Sequence, residues 1–128
     1  MKNWSGHIVF NESFHWKDLE KYFPDMYYAV EEKTKVNQEE KQFDDVMLEL
    51  NMEEILKDRR PFGYRRENAK FKMIIPQNKN EITIFHGTPS DEIEDVTEEV
   101  AACIKSKKIH FNIEYDRMVL IKITEERS

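Results

Sequence analysis

Apolar and polar side chains alternate along much of the second half of the chain. Phe71, Met73 and Ile75 alternate with lysines, and a second alternating run follows the polar turn at 77–80. A period of two places every second side chain on one face of a β-strand. The pattern predicts four strands, near 70–75, 81–86, 109–115 and 118–124. The last two are close enough in sequence to form an antiparallel hairpin.

A helical period separates the second and third of these strands. Apolar residues recur every three or four positions up to Ile104, so they share one side of a helix. Thr88 can cap that helix, Pro89 suits its first position, and Asp91 can reach back as a capping-box carboxylate. Acidic residues at its start and lysines at its end complement the helix dipole. The prediction is a helix near 89–106.

Periodicity is weaker in the first half of the chain. Residues 7–10 are β-branched and aromatic, which predicts a short strand. Apolar residues spaced by two to four positions predict a helix near 12–23, which Pro24 would end because proline disfavours helical geometry in the residue before it. The β-branched and aromatic content of 25–36 favours a strand, and a helical turn capped by Asp25 is the alternative.

A third helix is predicted near 38–58, and it is the longest element. Asn37 can cap it, and Phe43, Val46 and Leu50 recur within it at helical spacing. Its many carboxylates are expected on the solvent-exposed side, among them Asp44, Asp45, Glu49, Glu53 and Glu54. A small acidic surface of this kind can occlude a basic site on another protein, although solubility alone explains the same residues.

These elements amount to one α+β domain over residues 1–128. Helices near 12–23, 38–58 and 89–106 would pack on a mainly antiparallel sheet. An arginine-rich loop at 59–68, which also contains proline and glycine, connects the two halves. A chain of 128 residues is long enough to bury a core without a metal ion or disulfides.

Composition narrows the class of protein. Charged residues make up 36% of the chain, the formal net charge is −6, and an aromatic content of 12% argues against disorder. The lone cysteine, Cys103, allows no intramolecular disulfide. The first residues lack the apolar core of a signal peptide, and no apolar run reaches the roughly 20 residues that span a bilayer. We therefore expect a cytoplasmic protein without a membrane partner.

Few residues are suited to catalysis. The histidines lack metal-ligand spacing, and Cys103 lies beside the apolar stripe of the late helix, so neither a metal nor another cofactor is expected. The exception is His86, which precedes Asp91 at the predicted strand-to-helix junction, where free backbone amides suit an anion. A ligand pocket or enzyme site near His86 and Asp91 is therefore one hypothesis, and a turn-capping role is its alternative.

A basic and aromatic segment over 57–72 is the sharpest feature of the sequence. Arginine and aromatic side chains together can clamp phosphates and stack on bases. The same cations can neutralise the surrounding glutamates or bind an acidic protein surface. The candidate binding residues are Arg59, Arg60, Phe62, Tyr64, Arg65, Arg66, Lys70 and Lys72.

Taken as a whole, the residues favour binding over catalysis. The first hypothesis is a regulatory or inhibitory protein–protein interaction, made with another protein or with a second copy of the chain. The second is a nucleic-acid-binding module that uses the segment 57–72. The third is a small ligand-binding protein or enzyme with a pocket near His86. No motif identifies a family.

Overall fold

The α+β class is confirmed by the computed structural model, which describes residues 2–116. The strand predicted near 118–124 lies outside the described residues. The described part contains three α-helices and a four-stranded antiparallel sheet. In chain order the elements are β1 (Asn3–Phe10), a 3-10 helix (Trp16–Leu19), α1 (Phe23–Glu31), α2 (Gln38–Leu56), β2 (Lys72–Ile74), β3 (Glu81–Ser90), α3 (Ile93–Ala102) and β4 (Phe111–Tyr115).

The sheet places β1 and β3 at its centre, in the order β2-β3-β1-β4. Ile8 pairs with Ile82 and Gly6 pairs with Ile84, so these residues share one face of the two central strands. Helix α3 packs on that face, and α1 packs on α3. The opposite face carries a polar row, in which His7 pairs with Thr83. The two faces therefore have different chemistry, apolar under the helices and polar behind them.

An aromatic cluster fastens the 3-10 helix to the end of β1. The rings of Phe10 and Phe14 stack with centroids 3.9 Å apart, and Trp16 meets Phe14 edge-on at 5.0 Å. All three side chains are buried. Burial of such large apolar surfaces is the dominant favourable term in folding, so this cluster holds a short element that has few internal hydrogen bonds.

Two predictions for the first half are wrong. Within the helix predicted near 12–23, only Trp16–Leu19 and the first residue of α1, Phe23, are helical. Pro24 lies in the first turn of α1 instead of ending a helix. Proline is tolerated in a first turn because the N–H it lacks has no partner there. The segment 25–36, for which a strand was favoured, begins in α1, whose buried residues follow a helical spacing through Tyr27 and Val30.

The start of the late helix is also corrected. Thr88 and Pro89 lie in β3, which continues to Ser90, and α3 has Glu92 in its N-cap position. Pro89 is accommodated because the pairing of β1 with β3 shifts register in this part of the strand. Asp91 therefore lies in the turn between β3 and α3 and is not a capping-box residue.

The other predicted elements are present with adjusted ends. The helix predicted near 38–58 is α2, and Asn37 caps it: Asn37 Oδ1 accepts from Glu40 N at 2.8 Å, while Glu40 Oε1 accepts from Asn37 N at 3.0 Å. The strand at 7–10 begins earlier, at Asn3, and the strands near 70–75 and 109–115 are shorter than predicted. Among residues 2–116, no helix is both long enough and apolar enough to cross a membrane.

Gly6 controls how closely α3 approaches the sheet. A Cβ at this position would lie 1.9 Å from Thr97 Oγ1. Gly6→Ala is therefore expected to lower the free energy of unfolding by about 2 kcal/mol or more, because the packed helix must move. Chemical denaturation measures this loss. In a Thr97→Ala background, where the closest atom is absent, the cost of Gly6→Ala should fall by about 1 kcal/mol. Strict additivity of the two substitutions would contradict the close approach.

Candidate interaction surface

Helix α2 carries an apolar stripe on its solvent side. Phe43, Val46 and Leu50 follow one another at helical spacing and are 53%, 54% and 39% exposed. The buried side of the same helix includes two polar residues, Asp44 and Asn51. The apolar Leu48 and Ile55 are buried on the same side. The prediction that Asp44 is exposed is wrong, because this carboxylate is 1% exposed. The exposed apolar side chains make this side of α2 a candidate interaction surface.

The loop that follows α2 extends this stripe. Phe62 is 49% exposed. A cleft of about 380 Å³, open to solvent, lies between the loop and the helix. Aromatic and aliphatic side chains form its walls, and arginines stand beside them. The lining residues are Tyr27, Phe43, Asp44, Met47, Phe62, Gly63, Tyr64, Arg65 and Arg66.

Asn51 and Gly63 hold the loop against the helix. Asn51 Oδ1 accepts from Gly63 N at 2.7 Å, and Asn51 Nδ2 donates to Gly63 O at 3.1 Å. Gly63 has a φ of +87°, and a Cβ there would lie 2.2 Å from Met73 O. Any other residue would be strained and would collide with β2. The position of the loop is therefore set from both sides.

A buried ionic network anchors the other end of the loop. Asp44 accepts from Tyr64 Oη at 2.7 Å and from Arg66 Nε at 3.1 Å. Arg66 Nη1 also donates to Glu40 Oε2 at 2.7 Å, and Tyr27 Oη donates to the Asp44 carbonyl at 2.6 Å. Burial, reinforced by the Asp44 carboxylate, raises the pKa of Tyr64 well above its usual range. The tyrosine hydroxyl therefore remains a donor.

The predicted basic patch is divided among several internal partners. Arg59 Nε pairs with Glu54 Oε2 at 3.0 Å, and Lys70 Nζ pairs with Glu92 Oε1 at 3.0 Å. Arg60 donates to the backbone carbonyl of Ile75. Arg66 and Tyr64 likewise bond to Asp44, as described above. Most of the predicted binding residues thus have an intramolecular role.

Three of the predicted binding residues, Phe62, Arg65 and Lys72, remain free to contact a partner. Arg65 and Lys72 have no ion pair within residues 2–116, and Phe62 is exposed. Phe62 and Arg65 both line the cleft on α2, whereas Lys72 lies on β2. The structure therefore brings Phe62 and Arg65 together with an apolar helix face that the sequence did not single out as a site.

His86 does not lie at a helix N-terminus. It is inside β3, where its ring packs 4.7 Å from the ring of Phe71 and its Nδ1 lies 3.2 Å from the Thr88 carbonyl oxygen. Asp91 is exposed in the following turn. The helix start that motivated an anion site lies further along the chain, at Ile93, because the strand continues past His86 to Ser90. The ligand pocket near His86 and Asp91 stays a prediction, and the helix N-terminus no longer supports it.

A buried polar cluster on the sheet was not predicted. His7 Nε2 lies 2.8 Å from Ser5 Oγ, and His7 Nδ1 lies 2.7 Å from Glu81 Oε2 and 3.1 Å from Thr83 Oγ1. This order of serine, histidine and carboxylate is that of a hydrolytic triad. However, Ser5 is 0% and His7 1% exposed, so no substrate reaches the hydroxyl. Hydrogen bonding explains how these polar groups are buried.

The described residues offer neither a candidate metal site nor a reactive thiol. Within residues 2–116, no group of three or more His, Cys, Asp or Glu side chains is arranged to hold a metal ion. Burial raises the pKa of the Cys103 thiol, and its Sγ lies 3.4 Å from the Glu99 carbonyl oxygen. A thiol with a raised pKa is a poor nucleophile because the reactive species is the thiolate.

Two adjacent arginines test the anchoring role of the buried network. Arg66→Ala leaves the Asp44 carboxylate buried without its cation, so the free energy of unfolding should fall by about 3 kcal/mol. Arg65→Ala removes an exposed side chain and should change it by less than about 0.5 kcal/mol. Urea denaturation of both variants measures the difference. Equal effects would show that Arg66 does not hold the loop.

The carboxyl of Glu31 gives a pH-dependent test. Its Oε1 accepts from Lys41 Nζ at 2.7 Å, whereas its buried Oε2 has no hydrogen-bond partner among the described residues. Burial raises the pKa of Glu31 above its ordinary value of 4.5, and the nearby Asp44 carboxylate acts in the same direction. The folded state therefore binds this proton more tightly than the unfolded state does. Ionisation of Glu31 then lowers stability as pH rises from about 4.5 through the raised pKa.

Glu31→Gln removes this ionisation and keeps an acceptor for Lys41. The free energy of unfolding of the variant minus that of the wild type should therefore increase as pH rises through that window. Denaturation at a series of pH values measures the increase. Glu32→Gln, at the exposed neighbouring position, is the control and should give a small difference. A difference for Glu31→Gln that does not change with pH would contradict the effect of burial.

Comparison with known proteins assigns no role to this surface. No protein-family model, no curated protein and no solved structure matches the chain. Evidence about its function therefore comes from the exposure, charge and contacts of its own residues.

Proposed function

We propose that the protein acts by binding another protein, with a regulatory or inhibitory effect, in the cytoplasm. The observation that supports this most directly is the exposed apolar stripe of Phe43, Val46 and Leu50, continued by Phe62. Large apolar residues at helical spacing are the usual anchors of helix-mediated recognition. We call these four residues and Arg65 the α2 face.

Rigidity of the α2 face also supports a binding role. Asn51 and Asp44 lie on the inner side of α2 and hold the loop that carries Phe62 and Arg65. A binding surface that is already in place before the partner arrives loses less conformational entropy on association. The buried network therefore has a consequence for function as well as for stability.

A nucleic-acid role is less well supported by the same contacts. Phosphate binding depends on cations that are free to exchange their counterions for phosphates. Arg59, Arg66 and Lys70 instead pair with carboxylates of the protein itself. Catalysis lacks support for a different reason, since the serine and histidine with suitable geometry, Ser5 and His7, are buried. Binding through the α2 face requires no rearrangement of any of these contacts.

A triple substitution, Phe43→Ser, Val46→Ser and Leu50→Ser, tests the proposal. Because these side chains are exposed, the free energy of unfolding should stay within about 1 kcal/mol of the wild type. Affinity capture from the source cells, quantified by mass spectrometry, should then lose a stoichiometric partner that the wild type retains. The variant removes apolar contact area and leaves the fold intact.

The matched control is a triple serine substitution on the exposed side of α3, Glu94→Ser, Glu98→Ser and Ala102→Ser. It should retain the partner. Two outcomes count against the proposal. One is capture of the same proteins by the wild type and the α2 variant. The other is a loss of several kcal/mol of stability in the α2 variant, which would make the stripe part of the core.

A further inference from the structure

Unpaired carboxylates accompany the apolar stripe along α2. Glu39, Glu49 and Glu53 are exposed and have no ion pair within residues 2–116. Glu49 and Glu53 are four residues apart, so they lie one turn apart on the same side of the helix, next to Val46 and Leu50. Neighbouring carboxylates elsewhere on this helix, such as that of Glu54, are paired internally. One edge of the stripe is therefore a row of free negative charge.

The other edge of the stripe has a different character. The cleft opens there between Phe43 and Phe62, with Arg65 at its border. An aromatic side chain that enters the cleft would meet two phenylalanine side chains and an arginine, which suit ring stacking and cation–π contacts. Large side chains that fill such pockets contribute most of the energy of an interface. One edge of the stripe therefore suits basic side chains of a partner, and the other edge suits a large apolar side chain.

Resting on the proposed function, we infer that the α2 face binds an amphipathic helical segment of another protein that carries basic side chains along one flank. Its apolar side packs on the stripe, and one aromatic or large aliphatic residue fills the cleft. Its lysines or arginines lie opposite Glu49 and Glu53. Phe43 and Leu50 are about 10 Å apart along the helix axis, which matches anchors spaced over two turns of a partner helix.

A second copy of the chain is a poor occupant for reasons of charge. The α2 face and its edge present the three carboxylates of Glu39, Glu49 and Glu53 against two cations, Arg65 and, at the end of the helix, Lys57. Two such faces would bring like charges together, and like charges across an interface oppose association. The net charge of −6 on each chain acts in the same direction. A basic partner turns the same carboxylates into attractive contacts.

Peptide selection on the full chain tests the inference without a known partner. The probe is a displayed library of helix-forming peptides of about 16 residues, roughly four turns, with random side chains. Selected peptides should carry large apolar residues at spacings of three, four and seven, flanked on one side by lysine or arginine. A synthetic copy of the strongest binder then serves for affinity measurements by fluorescence anisotropy.

Charge reversal on two helices provides the matched comparison. Glu49→Lys with Glu53→Lys should weaken binding of the selected peptide by about tenfold or more, because attraction becomes repulsion. Glu94→Lys with Glu98→Lys places the same change in net charge, at the same spacing, on α3 and should change affinity less than about twofold. The α2 reversal should also shift a repeated selection towards acidic peptides.

The possible failures are distinguishable. Selected peptides without a basic excess, or equal effects of the two charge reversals, would overturn the inference about the partner and leave the α2 face as an interface. Binding that survives the Phe43, Val46 and Leu50 serine variant would overturn the proposed function as well. Sedimentation showing that the wild type dimerises and the serine variant does not would identify the occupant as a second copy, which also overturns the inference.

Discussion

The ion pair between Asp44 and Arg66 fixes how the middle of the molecule is arranged. Asp44 is fully buried on the inner side of α2, and a carboxylate in that position is stable only if cations and donors surround it. Arg66 and Tyr64 supply them from the loop after the helix. The loop must therefore lie over α2. About two turns further along, Asn51 repeats the arrangement by bonding to both backbone groups of Gly63.

This pairing of helix and loop allows α2 to bury two polar residues beside Leu48 and Ile55. Polar groups on its inner side are satisfied by the loop, while Phe43, Val46 and Leu50 face outward. The loop adds Phe62 and Arg65 to the same surface. The contacts that hold the loop on α2 therefore also position the residues of the proposed binding surface.

Much of the architecture follows from local pattern. Alternation predicted β2, β3 and β4, and Asn37 was correctly predicted to cap α2. The errors concentrate at two prolines. Pro24 was predicted to end a helix and lies in the first turn of one, whereas Pro89 was predicted to start a helix and lies in a strand. Proline fixes one backbone angle and removes one donor, and both a first helical turn and an irregular strand accept that.

The sequence alone determined the α+β class, the helical character of α2 and the presence of many cations between 57 and 72. Only the tertiary structure decided what those residues do. Arg66 meets a carboxylate 22 positions earlier, and His7 meets one 74 positions later. Periodicity shows that Phe43, Val46 and Leu50 share one side of a helix, but it does not show which side faces the core. That choice depends on long-range pairing, since the buried side is the one whose polar groups find partners.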